Sequence, residues 1–125
     1  MAVPAIAYAA LIFAFSAVPG SQVPSTGVAS GDKLLHVAEY GMFGLLLMLA
    51  ARGLGGKDAV VALAVGVAYA ASDEAHQAFV PGRSADILDF AVDVAALLLA
   101  VVLVLAVRRA RGAPKGVDDT GSKKL

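Results

Sequence analysis

The sequence predicts an all-α polytopic membrane protein, a bundle of four transmembrane helices. Three observations predict it. Hydrophobic residues make up 59% of the 125, against about 45–50% in a soluble domain, and mean hydropathy is +0.80. The apolar residues gather into runs near the roughly 20 residues that a helix needs to cross a bilayer. Pro, Gly and polar stretches separate these runs. Ten basic and ten acidic residues cancel, so nothing points to nucleic acid as a partner. The absence of cysteine excludes disulfides, thiolate metal sites and Cys nucleophiles. There is no repeat of solenoid length.

Residues 1–20, MAVPAIAYAALIFAFSAVPG, carry no charge. A signal peptide is the rival reading, but the run lacks the basic segment that normally opens one, so a retained first helix is expected. Pro19-Gly20 ends it, and residues 19–31 form a Pro/Gly/Ser/Thr loop. The second helix is expected from Leu34 to Ala51, broken only by His36, Glu39 and Tyr40. ARGLGGKD, residues 51–58, is a short basic turn with three glycines. The third helix is expected from Ala59 to Val80, uncharged until Ser72. Pro81-Gly82 makes a tight turn. Ser84 is the expected N-cap of the fourth helix, Asp86 suits the dipole of its first turn, and the helix is expected to reach Val107. Residues 1–107 thus form the membrane domain. Residues 108–125 form a polar, Gly-containing tail with the composition of a disordered segment.

Charge sets the expected orientation. Arg52 and Lys57 lie between the second and third spans, and Arg108, Arg109 and Arg111 follow the fourth. All five fall on one side, which the positive-inside rule makes cytoplasmic. Both termini are then cytoplasmic in a multi-pass plasma-membrane protein. Loss of residues 1–20 would leave three spans and the same orientation for the rest.

The chemistry concentrates in SDEAHQAFVPGRSADILDFAVD, Ser72 to Asp93, where five acids, a His, a Gln and an Arg lie between apolar runs. Ionisable groups at membrane depth are costly and mark a functional site by default. Lys33, His36 and Tyr40 recur at i, i+3, i+7, which places them on one helix face, with Glu39 beside it. Asp73 and Gln77 share a face of the third helix at i, i+4. Asp86, Asp89 and Asp93 repeat i, i+3, i+7 on the fourth. At 1.5 Å rise per residue, Tyr40 lies roughly 10 Å below Lys33, Asp73 roughly 12 Å below Pro81, and Asp93 roughly 13 Å below Ser84. These three form the expected floor of an outward-facing polar cavity, with Lys33, His36, Arg83 and Asp86 at its rim. Lys33 or Arg83 is expected to pair with an acid.

Blander roles compete residue by residue. Asp86 suits a helix cap, Tyr40 an interfacial aromatic, Lys33 a snorkelling side chain and Arg83 an interfacial anchor. His76, off the Asp73/Gln77 stripe, is expected in the headgroup zone. Glu39, Asp73, Asp89 and Asp93 lie too deep in apolar sequence for such roles, and their bland reading is a polar clamp between helices. Ala96 and Ala100 form a small-xxx-small pair suited to close packing.

Three blocks resemble the VanZ-like family of bacterial membrane proteins. They are FAFSAVPG (13–20), DKLLHVAEYGMFGLLL (32–47) and SDEAHQAFVPGRSADILDF (72–90). The positions that match the family's motif are Lys33, His36, Tyr40, Asp73, Glu74, Gln77, Arg83 and Asp89. The departures are Asp93, where the family pattern has Asn, and Ala96 and Ala100, where it has glycines. The family takes its name from a protein associated with resistance to the glycopeptide teicoplanin, and the resemblance implies no settled reaction.

The expected function is to bind or modify a cell-envelope lipid or lipid-linked wall-precursor headgroup. Lys33, His36, Tyr40, Gln77, Arg83, Asp86, Asp89 and Asp93 would hold the ligand, with the cations on its phosphate or carboxylate. If chemistry occurs, Asp73, Glu74 and His36 supply acid–base groups, or oxygen and imidazole ligands for a divalent cation. The sequence names no cofactor and no metal, and leaves a homo-oligomer open. The alternative is a structural or partner-binding membrane module without catalysis. A proton- or ion-coupled carrier is the weakest reading, because the inner half of each helix has no polar residue to continue a pathway.

Overall fold

A computed structural model describes residues 2–23 and 31–112. Among these residues there is no strand, and four α-helices carry the architecture: α1 Val3–Ser16, α2 Gly31–Ala50, α3 Asp58–Gln77 and α4 Ile87–Gly112. Short 3-10 turns at Gly20–Gln22 and Gly55–Lys57 follow α1 and precede α3. Two helices, over Asp32–Ala50 and Ile87–Gly112, are long and apolar enough to cross a membrane. α1 is apolar but has only 14 residues, about 21 Å of helix. α3 ends in the polar run from Ser72 to Gln77.

Local chemistry sets the boundaries. α1 closes with Ala17 and Val18 donating to Phe13 O (3.0 Å) and Phe15 O (3.2 Å), and Pro19 cannot continue it. α2 ends in a turn whose glycines Gly53 and Gly55 take φ of 98° and 64°, a region that side chains disfavour. After α3, Val80 O accepts from Arg83 N at 3.1 Å. Pro81 and Gly82, the latter with φ 72°, occupy the two central positions that a type II turn requires. α4 starts at Ile87, three residues after the expected cap Ser84. Asp86 is the cap instead: its Oδ1 accepts from Leu88 N at 2.8 Å and its carbonyl from Phe90 N at 3.2 Å. α4 also continues past Val107 to Gly112, so residues 108–112 are helix. The remainder of the predicted tail lies outside the described residues.

α2 and α4 share the longest interface, α3 packs on both, and α1 sits against α2 and α3. The core holds Ile12, Tyr40, Phe43, Met48 and Leu97, each at most 2% exposed. Small residues allow the approach. A Cβ on Gly44 would lie 2.8 Å from Ala100 Cβ, and one on Gly66 would lie 2.8 Å from Leu97 Cδ2. Leu97 thus fills the space that both glycines leave open, and Ala100 meets Gly44 as a small-residue contact between helices. Tyr8, Tyr40 and Tyr69 surround Phe43, and Tyr69 Oη donates to Ala9 O of α1.

The polarity of this fold is inverted. Large apolar side chains such as Val3, Ile6, Val60, Phe79, Leu99 and Val102 are exposed, while Asp73, Glu74, Gln77 and Asp93 are buried. A soluble protein rarely tolerates either feature at this scale, whereas a lipid-facing exterior explains both.

At the end of the bundle away from this acidic group, Asp58 opens α3. It accepts from Ala59 N at 2.8 Å and forms an ion pair with Arg108 of α4. The Arg108 hydrogen bond holds the Asp58 carboxyl below its usual range, against an opposing desolvation effect. A depressed folded-state pKa stabilises the fold above the unfolded value, near pH 4, and that contribution is lost as pH falls further. Thermal unfolding in detergent is therefore expected to separate wild type from Arg108→Gln at neutral pH. The two curves should converge below about pH 4; a gap independent of pH would contradict this role for the pair.

Candidate functional site

The stripe on α2 meets acids from both neighbouring helices. Lys33 Nζ donates to Asp89 Oδ1 at 2.7 Å. One turn deeper, His36 Nδ1 lies 2.7 Å from Asp93 Oδ1, and its Nε2 lies 3.9 Å from Asp89 Oδ2. One turn deeper again, Tyr40 Oη donates to Asp73 Oδ2 at 3.0 Å. Three successive rungs thus tie α2 to α4 twice and to α3 once. Burial grows along them: the side chains of Lys33 and His36 are 43% and 13% exposed, and Tyr40 is 0% exposed.

Beside this ladder is a cavity of about 30 Å³. His36 and Glu39 of α2, Asp73 and Gln77 of α3, and Arg83 of the turn line it. So do Ile12, Phe15 and Ser16 of α1. Buried oxygens Ser16 Oγ and Asp73 Oδ1 have no hydrogen-bond partner among the described residues. A space of this size admits one or two water-sized groups, which such oxygens require if they are not to remain desolvated and unpaired.

Lys33 thus makes the acid pairing expected of it or Arg83, and Arg83 turns to backbone carbonyls. Its Nε donates to Val18 O at 3.1 Å and its Nη2 to Phe15 O at 3.3 Å, so the guanidinium caps the carbonyl end of α1, where the helix dipole favours a cation. The backbone reinforces this docking. Gly20 N donates to Pro81 O at 3.0 Å, so the two Pro-Gly turns, residues 19–20 and 81–82, clasp each other. A Cβ on Gly20 would collide with the carbonyl oxygen of Gly82. The clasp fixes Arg83 at the wall of the cavity.

The predicted residues therefore separate into three groups. His36, Asp73, Gln77 and Arg83 line the cavity. Lys33, Tyr40, Asp89 and Asp93 form the ladder behind it. Glu74 and Asp86 are elsewhere: Glu74 Oε1 accepts from Asp86 N, and both line an open groove of about 410 Å³ between the end of α3 and the start of α4. The grouping of Asp73, Glu74 and His36 as one acid–base set is thus divided, because adjacent residues on α3 face different sides. His76 packs its ring on Phe13 of α1, with centroids 4.6 Å apart. Among the described residues no three His, Asp or Glu side chains gather as ligands for a metal ion.

The contribution of α1 is the part that the polar pattern missed. Ser16 carries the only hydroxyl besides Tyr8 in residues 1–20, and that isolation in an apolar run is the signal that points to it.

A family model described as VanZ/LLP1 matches residues 2–108. This chain belongs to the VanZ/LLP1 family. The match takes in α1 to α3 and most of α4, so the cavity, the ladder and the clasped turns all lie within the family region. No curated protein and no solved structure matches the chain. Membership of this family, together with two helices apolar enough to cross a bilayer, makes the chain a membrane protein. Two of the three residues that depart from the expected family pattern have partners here. Asp93 takes the imidazole of His36, and Ala100 meets Gly44.

Proposed function

We propose that this VanZ/LLP1 protein spans the membrane four times and that its polar cavity opens to the outer side. There it binds the headgroup of a cell-envelope lipid or lipid-linked wall precursor. One observation carries the reading: an apolar exterior encloses a cavity lined by Ser16 and Asp73, whose buried Oγ and Oδ1 have no partner among the described residues. Desolvated acceptors without partners cost free energy, and a ligand that donates to them recovers it. Arg83 at the cavity wall and Lys33 above it supply cations for phosphate or carboxylate. α3, with 20 residues, already has spanning length, and α1 approaches it once residues 17–22 that follow it are counted. The five cations Arg52, Lys57, Arg108, Arg109 and Arg111 set the orientation by the positive-inside rule.

Binding is favoured over catalysis. His36 is held by Asp93 as a base would be, but among the described residues no hydroxyl nucleophile is bonded to its ring, and Glu74 belongs to the other groove. Occupancy of such a site would alter the surface lipid or precursor available to a glycopeptide, and through it glycopeptide susceptibility.

Because the chain lacks cysteine, single-cysteine variants test the topology cleanly. Lys33→Cys and Asp86→Cys are expected to react with a membrane-impermeant maleimide on intact cells, and Arg52→Cys and Arg109→Cys only after permeabilisation. The reverse pattern would overturn the outward-facing site.

A further inference from the structure

The lining of the cavity specifies the charge and size of the group that fills it. Ser16 and Asp73, which line it, are 4% and 5% exposed, and each has a buried oxygen without a partner among the described residues. Gln77, 6% exposed, lines the same space beside Glu39. Asp73 has already given its other oxygen to Tyr40. The lining thus holds two carboxyl groups, Asp73 and Glu39, beside a His36 imidazole that Asp93 already engages, and the complement of those carboxyls is a compact cation with several N–H donors. On the outer wall stands Arg83. Its guanidinium has five N–H donors, of which two engage the carbonyls of Phe15 and Val18. The others suit an anion.

We propose that the cavity is an ammonium pocket. It takes the primary ammonium end of a zwitterionic phospholipid headgroup, while Arg83 meets the phosphate a few bonds away. This inference rests on the headgroup-binding reading and narrows it to one class of ligand. The three N–H donors of the ammonium match Ser16 Oγ, Asp73 Oδ1 and the Gln77 carbonyl oxygen. A volume of about 30 Å³ accommodates such a tip. It rejects a trimethylammonium group, whose methyls are bulkier and donate no strong hydrogen bond. A glycerol headgroup brings hydroxyl donors but no charge to pair with Asp73. The pocket thus prefers ethanolamine over both choline and glycerol headgroups.

The full chain, reconstituted in nanodiscs of phosphatidylglycerol with equal minor fractions of phosphatidylethanolamine and phosphatidylcholine, tests this. Lipids retained on the protein are measured by native mass spectrometry. Phosphatidylethanolamine is expected to be enriched over phosphatidylcholine by about tenfold or more, the scale of a charge-assisted hydrogen bond. Asp73→Asn should remove most of the enrichment, and Ser16→Ala should reduce it about threefold or more, the scale of a neutral one. Circular dichroism confirms that each variant is helical, and Ser16→Ala carries the test if Asp73→Asn does not fold. Equal retention of the two lipids, or enrichment unchanged in the folded variants, overturns the ammonium pocket. If retention is equal but falls in Arg83→Gln, only the ammonium assignment fails and headgroup binding stands. If no lipid is retained at all, both readings fail.

Discussion

His36→Leu is expected to destabilise the bundle by about 3–5 kcal/mol, the cost of leaving a buried charge without its partner. Asp93 is 1% exposed, and the imidazole at 2.7 Å is the partner of its Oδ1, while its Oδ2 has none among the described residues. Removing the ring leaves both oxygens of a carboxyl group in an apolar interior with nothing to accept from. The pair His36→Leu/Asp93→Leu is expected to recover most of that loss, because replacing a buried ion pair by apolar side chains is often neutral or stabilising. Equilibrium unfolding in detergent of wild type, the two single variants and the double variant completes the cycle. If His36→Leu alone is as stable as wild type, the rung does not hold α2 to α4. The double variant also separates the two functional readings. A clamp that serves only packing would leave activity intact in it, whereas a ligand site would lose the imidazole from its wall while the protein remains folded.

Gly20→Ala is expected to cost about 2–3 kcal/mol, at the upper end for overpacking a closed contact. Its Cβ would meet the Gly82 carbonyl, which is backbone and cannot rotate away as a side chain can. The turns must separate, breaking the bond from Gly20 N to Pro81 O and loosening Arg83 from the end of α1. Gly41→Ala is the matched control. Nothing lies within 4 Å of its Cβ position, and in mid-helix alanine gains roughly 0.5–1 kcal/mol over glycine. Thermal unfolding should therefore move in opposite directions for the two. An equal shift for both would mean that the clasped turns contribute nothing. The same Gly20→Ala protein is expected to lose retained phospholipid, since Arg83 would no longer be fixed at the cavity wall.

Much of the site was legible in residue spacing. A repeat of i, i+3, i+7 on α2 puts Lys33, His36 and Tyr40 on one face whatever the neighbours are, and each of the three does meet an acid from another helix. The cost of isolated charge in an apolar run also required those acids to converge. Spacing could not say which acid meets which partner. Asp73 and Glu74 are adjacent in sequence, yet one lines the cavity and the other the groove, because about 100° of helix separates them. An acid was expected for Lys33 or Arg83: Lys33 takes Asp89, whereas Arg83 caps α1, since the carbonyls of Phe15 and Val18 reach it only once the two Pro-Gly turns have docked.

The sequence by itself determined the helical class and the family, because hydropathy and motif spacing are read along the chain. Only the tertiary structure decided that α1 completes the cavity with Ser16, and that Asp86 rather than Ser84 caps α4. It alone placed Leu97 against Gly44 and Gly66. Each of these depends on how close two backbones approach, a distance set by packing between segments far apart in sequence.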